Sequence, residues 1–231
     1  MNGYARVLAL GLASLALAAC SGGNSRPSGP PIALSANPGA VIAAEMAFAR
    51  AAQEQGQWTA FALASAPGAE MFVPQRINAA DWLKGRANPP VAVAWQAHVV
   101  WSSCDGSYAV THGDWERSGS TGNFTTVWQR QPDGQYKWLL DMSLATENTV
   151  DRSDMVQAHV ADCRKTEGSA ALPDKPAATG EVTGRAADGS LVWRTAEQAD
   201  GNRAITVWMR RDGQMQQVLH DRMTQQQTGL R

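Results

Sequence analysis

In the run Ser107–Arg117 (SYAVTHGDWER), Tyr108, Val110, His112, Asp114 and Glu116 alternate with Ala109, Thr111, Gly113 and Trp115. Strand side chains repeat every two residues, so His112 and Asp114 are neighbours on one face. A histidine beside a carboxylate in a desolvated place is a general acid–base pair. If the same face points into solvent, His112, Asp114 and Glu116 are simply hydrated. Asp141, in YKWLLDMS, is the second candidate. It shares a face with Leu139 and Ser143, opposite Trp138, Leu140 and Met142. A buried aspartate must be hydrogen-bonded or paired, and Arg130 on the preceding strand is a partner of the right charge. That pair is open to a structural reading and to a catalytic one.

Other signatures are missing from the sequence. It has no G-x-S-x-G elbow, no H-E-x-x-H helix and no phosphate loop. No histidine pair stands at zinc spacing, so neither a metal nor a cofactor is expected. His98 reads as a half-exposed strand histidine. Nine tryptophans against three tyrosines is an unusual ratio. Trp95, Trp101 and Trp128, with Tyr108 and Arg130, could wall a pocket for a flat apolar ligand. Plain core packing explains the indoles equally well.

The elements that must position these residues follow from periodicity. Asn37-Pro38 starts a helix, and Val41, Ala44, Phe48 and Ala51 recur on one face of residues 40–55. Residues 58–64 (WTAFALA) read as a second helix, and residues 77–85 as a third capped by Asn78. After Asn88-Pro89-Pro90 the period shortens to two. Residues 91–104 place Val91, Val93, Trp95, Ala97, Val99 and Trp101 on one face. Asp105-Gly106 turns the chain into residues 107–117, and a strand over 123–131, Pro132-Asp133-Gly134 and a strand over 136–143 follow. Helices followed by antiparallel hairpins make an α+β pattern: N-terminal helices packed on a curved antiparallel sheet, with a β-rich C-terminal extension.

In the tail, Asp188-Gly189-Ser190-Leu191-Val192-Trp193 echoes Asp105-Gly106-Ser107-Tyr108-Ala109-Val110, and Thr206-Val207-Trp208 echoes Thr126-Val127-Trp128. Asp141 and Asp221 each stand 13 residues after their tryptophan. Shared hairpin grammar accounts for this, and so does a duplicated hairpin extending the same sheet. Residues 167–184 read as a connector. Residues 155–163 read as a strand returning Cys163 to the sheet edge beside Cys104.

The helices with the run FTTVWQRQPDGQYKWLLDMS resemble the nuclear-transport-factor-2-like superfamily, which includes SnoaL-like cyclases, ketosteroid isomerases and limonene epoxide hydrolase. The resemblance spans residues 38–146 and is strongest over 126–141. It implies a cone, a curved sheet wrapped on helices around a deep apolar pocket. Fold alone does not license function. Likeness to the epoxide hydrolase would ask for two aspartates around an arginine, types that Asp114, Arg130 and Asp141 supply. Likeness to the isomerases would ask for an inward tyrosine with a protonated aspartate. Tyr108 is the one tyrosine of these strands considered for that role, and its spacing does not match.

The N-terminus has Arg6, an apolar stretch over residues 7–17 and small residues before Cys20. The stretch is shorter than the roughly 20 residues a bilayer-spanning helix needs, which makes residues 1–19 a secretory signal. Leu17-Ala18-Ala19-Cys20 resembles the bacterial lipoprotein box, which implies lipidation of Cys20. Ser21 in place of aspartate implies the outer membrane over the inner one. Residues 20–37, rich in Gly, Ser and Pro, form a tether, followed by a domain over 38–146 and an extension over 147–231. In an oxidising periplasm the remaining Cys104 and Cys163 are expected to form a disulfide.

The full chain carries 20 basic and 21 acidic residues; without residues 1–19, which hold only Arg6, 19 stand against 21. No basic stripe points to nucleic acid. Three functions fit: a non-catalytic lipid-anchored protein whose cone binds a small apolar molecule or scaffolds, a cone hydrolase or isomerase using His112 with Asp114 or Asp141, and an envelope assembly partner. Expected partners are a membrane through Cys20, a small apolar molecule and a second copy of the chain.

Overall fold

A computed structural model of the chain describes residues 35–73, 75–146, 155–164, 181–197 and 202–223. The signal, Cys20 and nearly all of the tether lie outside these residues. No helix among the described residues is long and apolar enough to cross a membrane.

Helix α1 (Pro38–Gln55) starts where the Asn37 side chain accepts from Ala40 N at 3.0 Å, with proline in the first turn. Gly56, at φ 100°, ends it and opens α2 (Gln57–Ala64). Gly56 has no side chain to cap α2, so Asn88 does so from 30 residues away, accepting from Trp58 N at 2.8 Å. Helix α3 (Ala79–Leu83) is capped by Asn78.

Among the described residues eleven strands follow or intervene: β1 (Ser65–Val73), β2 (Gln75–Asn78), β3 (Ala94–Ser102), β4 (Tyr108–Arg117), β5 (Ser120–Arg130), β6 (Tyr136–Ala145), β7 (Gln157–Val160), β8 (Val182–Arg185), β9 (Leu191–Glu197), β10 (Arg203–Arg211) and β11 (Gln214–Met223). The first seven form one sheet in the order β2-β1-β6-β5-β4-β3-β7, and the last four a second sheet in the order β11-β10-β9-β8. The fold is α+β, as the sequence predicts, but the larger sheet is mixed: β1 pairs parallel with β6, and β7 parallel with β3.

The seven-stranded sheet is buried on both faces. On one side Val41, Phe48, Trp58, Phe61, Trp128 and Trp138 join the helices to it. On the other, Trp101, Val110 and Val127 meet Trp193, Ile205 and Val207 of the second sheet. The β-rich extension is therefore a second sheet stacked on the first, which rules out the alternative of a hairpin extending the same sheet. The end of the expected connector, residues 182–184, belongs to strand β8. Strand β7 carries Cys163 back to Cys104, and the two form a disulfide with Cα atoms 5.2 Å apart.

A β-bulge between Ala97 and Val99 divides β3. Residues 91–101 therefore do not share one face: Trp95 and Ala97 face the helices, while Val99 and Trp101 face the second sheet. Gly113 sits opposite, where a Cβ would collide with the Gln96 carbonyl oxygen and lie 2.8 Å from Ala97 Cα.

Candidate functional site

On the helix side, α1 sends one charged residue into the core. Val41, Glu45, Phe48 and Ala52 are its buried stripe, and Glu45 is 3% exposed. Its carboxylate accepts from Trp95 Nε1 at 2.8 Å, Thr111 Oγ1 at 2.6 Å and Trp128 Nε1 at 3.2 Å. Three donors from β3, β4 and β5 hold it in place. Burial pushes its pKa up, and these hydrogen bonds counteract the rise.

Asp141 on β6 is 5% exposed and accepts from Thr126 Oγ1 at 2.9 Å. Burial raises its pKa to about 7; the Thr126 bond opposes this, and the Glu45 charge adds to it. Arg130 is not its partner. The register sets Thr126 opposite Asp141 and Arg130 opposite Tyr136, nearer the hairpin turn.

Asp141 lines a cavity of about 20 Å³ with Gln57, Ser143, Trp95, Trp115 and Phe124. A water needs roughly 10–15 Å³ of such space, so the cavity admits a water-sized guest. Gln57 is fully buried; its Oε1 accepts from Val93 N at 3.1 Å, while its Nε2 has no hydrogen-bond partner. A carboxyl with a pKa near 7 can give or take a proton at neutral pH. Phe48, Phe61 and Trp95 pack edge to face around it, with ring centroids 4.8 to 6.1 Å apart. Beside Asp141 they leave only that water-sized space.

The sheet turns Tyr108, His112 and Asp114 away from the helices. Thr111, Gly113 and Trp115 take the helix-facing positions. His112 and Asp114 do not bond to each other. His98, which the bulge aims to this side and which is buried rather than half-exposed, lies 2.9 Å from Asp114 Oδ1 through Nε2. His112 Nδ1 lies 3.0 Å from Thr125 Oγ1 and 3.8 Å from Asp221 Oδ2 of the second sheet. Thr125 also donates to Asp221 at 3.2 Å. Burial pulls the His112 pKa down, and the Asp221 charge offsets part of that. Hydroxyl and carboxylate crowd the same ring nitrogen, whereas a nucleophile triad needs them on opposite nitrogens.

Among the pocket-wall candidates, Trp95 and Trp128 face the helices and bond Glu45. Trp101 and Tyr108 pack between the sheets, with Tyr108 Oη accepting from Gln129 at 3.0 Å. Arg130 lies at the rim near Gly134. The described residues hold no group of three or more His, Cys, Asp or Glu side chains that could bind a metal.

Sequence reasoning missed Glu45 and Gln57. The signal for Glu45 was available: it is the lone acid four residues after Val41 and three before Phe48, inside the apolar stripe. Gln57 gave none, because its burial depends on Val93 closing over α2.

No protein-family model and no curated protein matches the chain. Solved structures similar to it include a candidate ketosteroid isomerase from Parabacteroides distasonis (19% identical, 49% of this chain, 96% of that one, TM-score 0.39). Another is a candidate ketosteroid isomerase from Kribbella flavida (15% identical, 50% and 84%, TM-score 0.34). A third is a protein of unknown function with a cystatin-like fold from Methylobium petroleophilum (7% identical, 53% and 86%, TM-score 0.36). Each covers about half of this chain, and at these identities and scores they assign no activity to it.

Proposed function

We propose that the protein is a lipid-anchored component of a bacterial cell envelope, moored by acylated Cys20 to the outer membrane, and that its nuclear-transport-factor-2-like cone is a non-catalytic scaffold. The filled interior carries this reading. The cavity beside Asp141 measures about 20 Å³, the buried Glu45 carboxylate is bonded to three donors, and the buried Asp114 is engaged by His98 at 2.9 Å. A catalytic pocket needs room for substrate and a reactive group free to act.

One observation favours a second reading, a pocket for a small guest. Gln57 Nε2 is an unpaired buried donor near a carboxyl that is half-protonated at neutral pH. Together they would grip a compact hydrogen-bonding molecule, and chemistry on it is the hydrolase or isomerase alternative.

Fractionation of cells making the chain, with radiolabelled fatty acid, tests the anchor. Label and outer-membrane recovery are expected for the wild type and lost in Cys20→Ser. A soluble, unlabelled wild type removes the reading.

A further inference from the structure

Strands β8 to β11 repeat the pairing of β3 to β6 over the residues the two sets share. Both sets run in the same order within their sheets. Ser102 pairs with Ala109 as Arg185 pairs with Val192, and Val110 with Val127 as Trp193 with Val207. The register shifts at Val127/Trp128 in one sheet and at Val207/Trp208 in the other. Turn bonds match as well: Ser103 N to Tyr108 O and Ala186 N to Leu191 O are both 2.9 Å. Arg130 N to Ser107 O is 2.9 Å, and Arg210 N to Ser190 O is 2.8 Å.

The last strand shows which echo is real. Between the equivalent pairs Arg130↔Tyr136 and Arg210↔Met215 the second hairpin has one residue fewer, so Asp141 corresponds to His220, not to Asp221. Thr126 donates to Asp141 at 2.9 Å, and in the equivalent place Thr206 Oγ1 lies 2.8 Å from His220 Nδ1.

The two units meet through equivalent faces. Asp105 N donates to Asp188 Oδ2 at 3.1 Å, and Asp188 N donates to Asp105 Oδ2 at 3.0 Å. Cys104 N donates to Ser190 Oγ at 2.8 Å, and its counterpart Ala187 N to Ser107 Oγ at 3.3 Å. Between the sheets, Val110 and Val127 meet Trp193 and Val207, their own equivalents. A contact in which i meets j′ while j meets i′ is the signature of an isologous, two-fold interface.

We infer that strands β8–β11 are a second copy of the β3–β6 meander without its helices, and that they cover a self-complementary face of the first sheet whose fitting partner is another copy of that meander. The chain supplies this partner itself. Uncovered, the face closes with a second chain as a pair, because a two-fold interface is satisfied at two and leaves no open end.

The test is the molar mass of the full mature chain, by light scattering, with Ile205→Asp/Val207→Asp placed in the seam and limited proteolysis confirming release of residues 181–223. The mass is expected to double relative to wild type and to return to one chain when Val127→Asp is added. An unchanged mass after release, or open-ended aggregates, overturns the inference. If the two charges unfold the first core, read from the near-ultraviolet signal of Trp58 and Trp95, Asp105→Ala/Asp188→Ala replaces them. That variant removes the reciprocal turn bonds and leaves both cores alone, and the same readings decide.

Discussion

Glu45 of α1 accepts the Thr111 hydroxyl of β4 at 2.6 Å, and with it the indoles of Trp95 and Trp128. One carboxylate thus ties the first helix to three strands. It stands where an apolar side chain would be the default, so the core is organised around a polar knot.

Removing that acceptor strands the Trp95 indole, leaves Trp128 with Thr111 Oγ1 at 3.0 Å and Thr111 with only a 3.5 Å contact to the Thr126 carbonyl, and opens a cavity in the core; an unsatisfied buried donor alone costs roughly 1–3 kcal/mol. Glu45→Ala should therefore lose about 3 kcal/mol or more, read as a lower urea midpoint. Glu45→Gln, which keeps the shape and one acceptor oxygen, should lose less. Equal losses would mean that volume, not the acceptor, matters at this site.

Asp141 makes stability depend on pH. Unfolded, the carboxyl releases its proton near 3.8; folded, it keeps the proton up to about 7. Between these values the folded chain binds more protons, so its stability falls as pH rises from about 4 to about 7. The contribution is fully present below about 4, and up to about 4 kcal/mol is lost across the window, at roughly 1.4 kcal/mol per unit. Glu45 is shifted in the same direction and adds to the slope. Calorimetry should show a falling melting temperature over this range, and Asp141→Asn should flatten it.

The Cys104–Cys163 bridge closes a loop with a sequence separation of 59. On the chain-entropy model this contributes about 4 kcal/mol. Cys163→Ser, and reduction of the wild type, should lower the denaturant midpoint by similar amounts, with no additive loss when combined.

Gly113 faces the bulge that turns His98 toward Asp114. Gly113→Ala would drive a methyl group into the Gln96 carbonyl and Ala97. A loss of about 2–3 kcal/mol is expected, as for an overpacked core, with a shifted His98 ring resonance in NMR. A stable variant with an unmoved His98 signal would show that the bulge does not need the glycine.

The sequence shows the fold wherever local chemistry decides it. Asn37-Pro38, Asn78 and the D-G turns mark element ends as expected, and the alternation over 107–117 gives β4; over 136–143 it gives the strand β6 but not its faces, because the shift at Val127/Trp128 leaves Trp138 with the helices while Leu139, Leu140 and Met142 pack toward the second sheet. Strand β1 is invisible because Ala66-Pro67-Gly68 reads as a turn, and its pairing comes from β6, 70 residues away. The bulge in β3 is equally hidden: nothing in AWQAHVVWS says that one residue is extra, yet that residue decides which indoles face the helices. The repeat in the tail is legible as turn motifs, but not its placement, since stacking and edge extension use the same strand pattern. Of the site, Asp141 is legible as a polar residue in an apolar run. The bond that holds it is not, because Thr126 becomes its partner through the bulge at Val127/Trp128.

Native mass spectrometry of the chain produced without residues 1–20 tests the proposal of a closed, non-catalytic interior most directly. It should show the oxidised polypeptide with no organic adduct, before and after incubation with small apolar carbonyl compounds. An organic molecule retained by the wild type and lost with Gln57→Ala or Asp141→Asn, both folded, would contradict it.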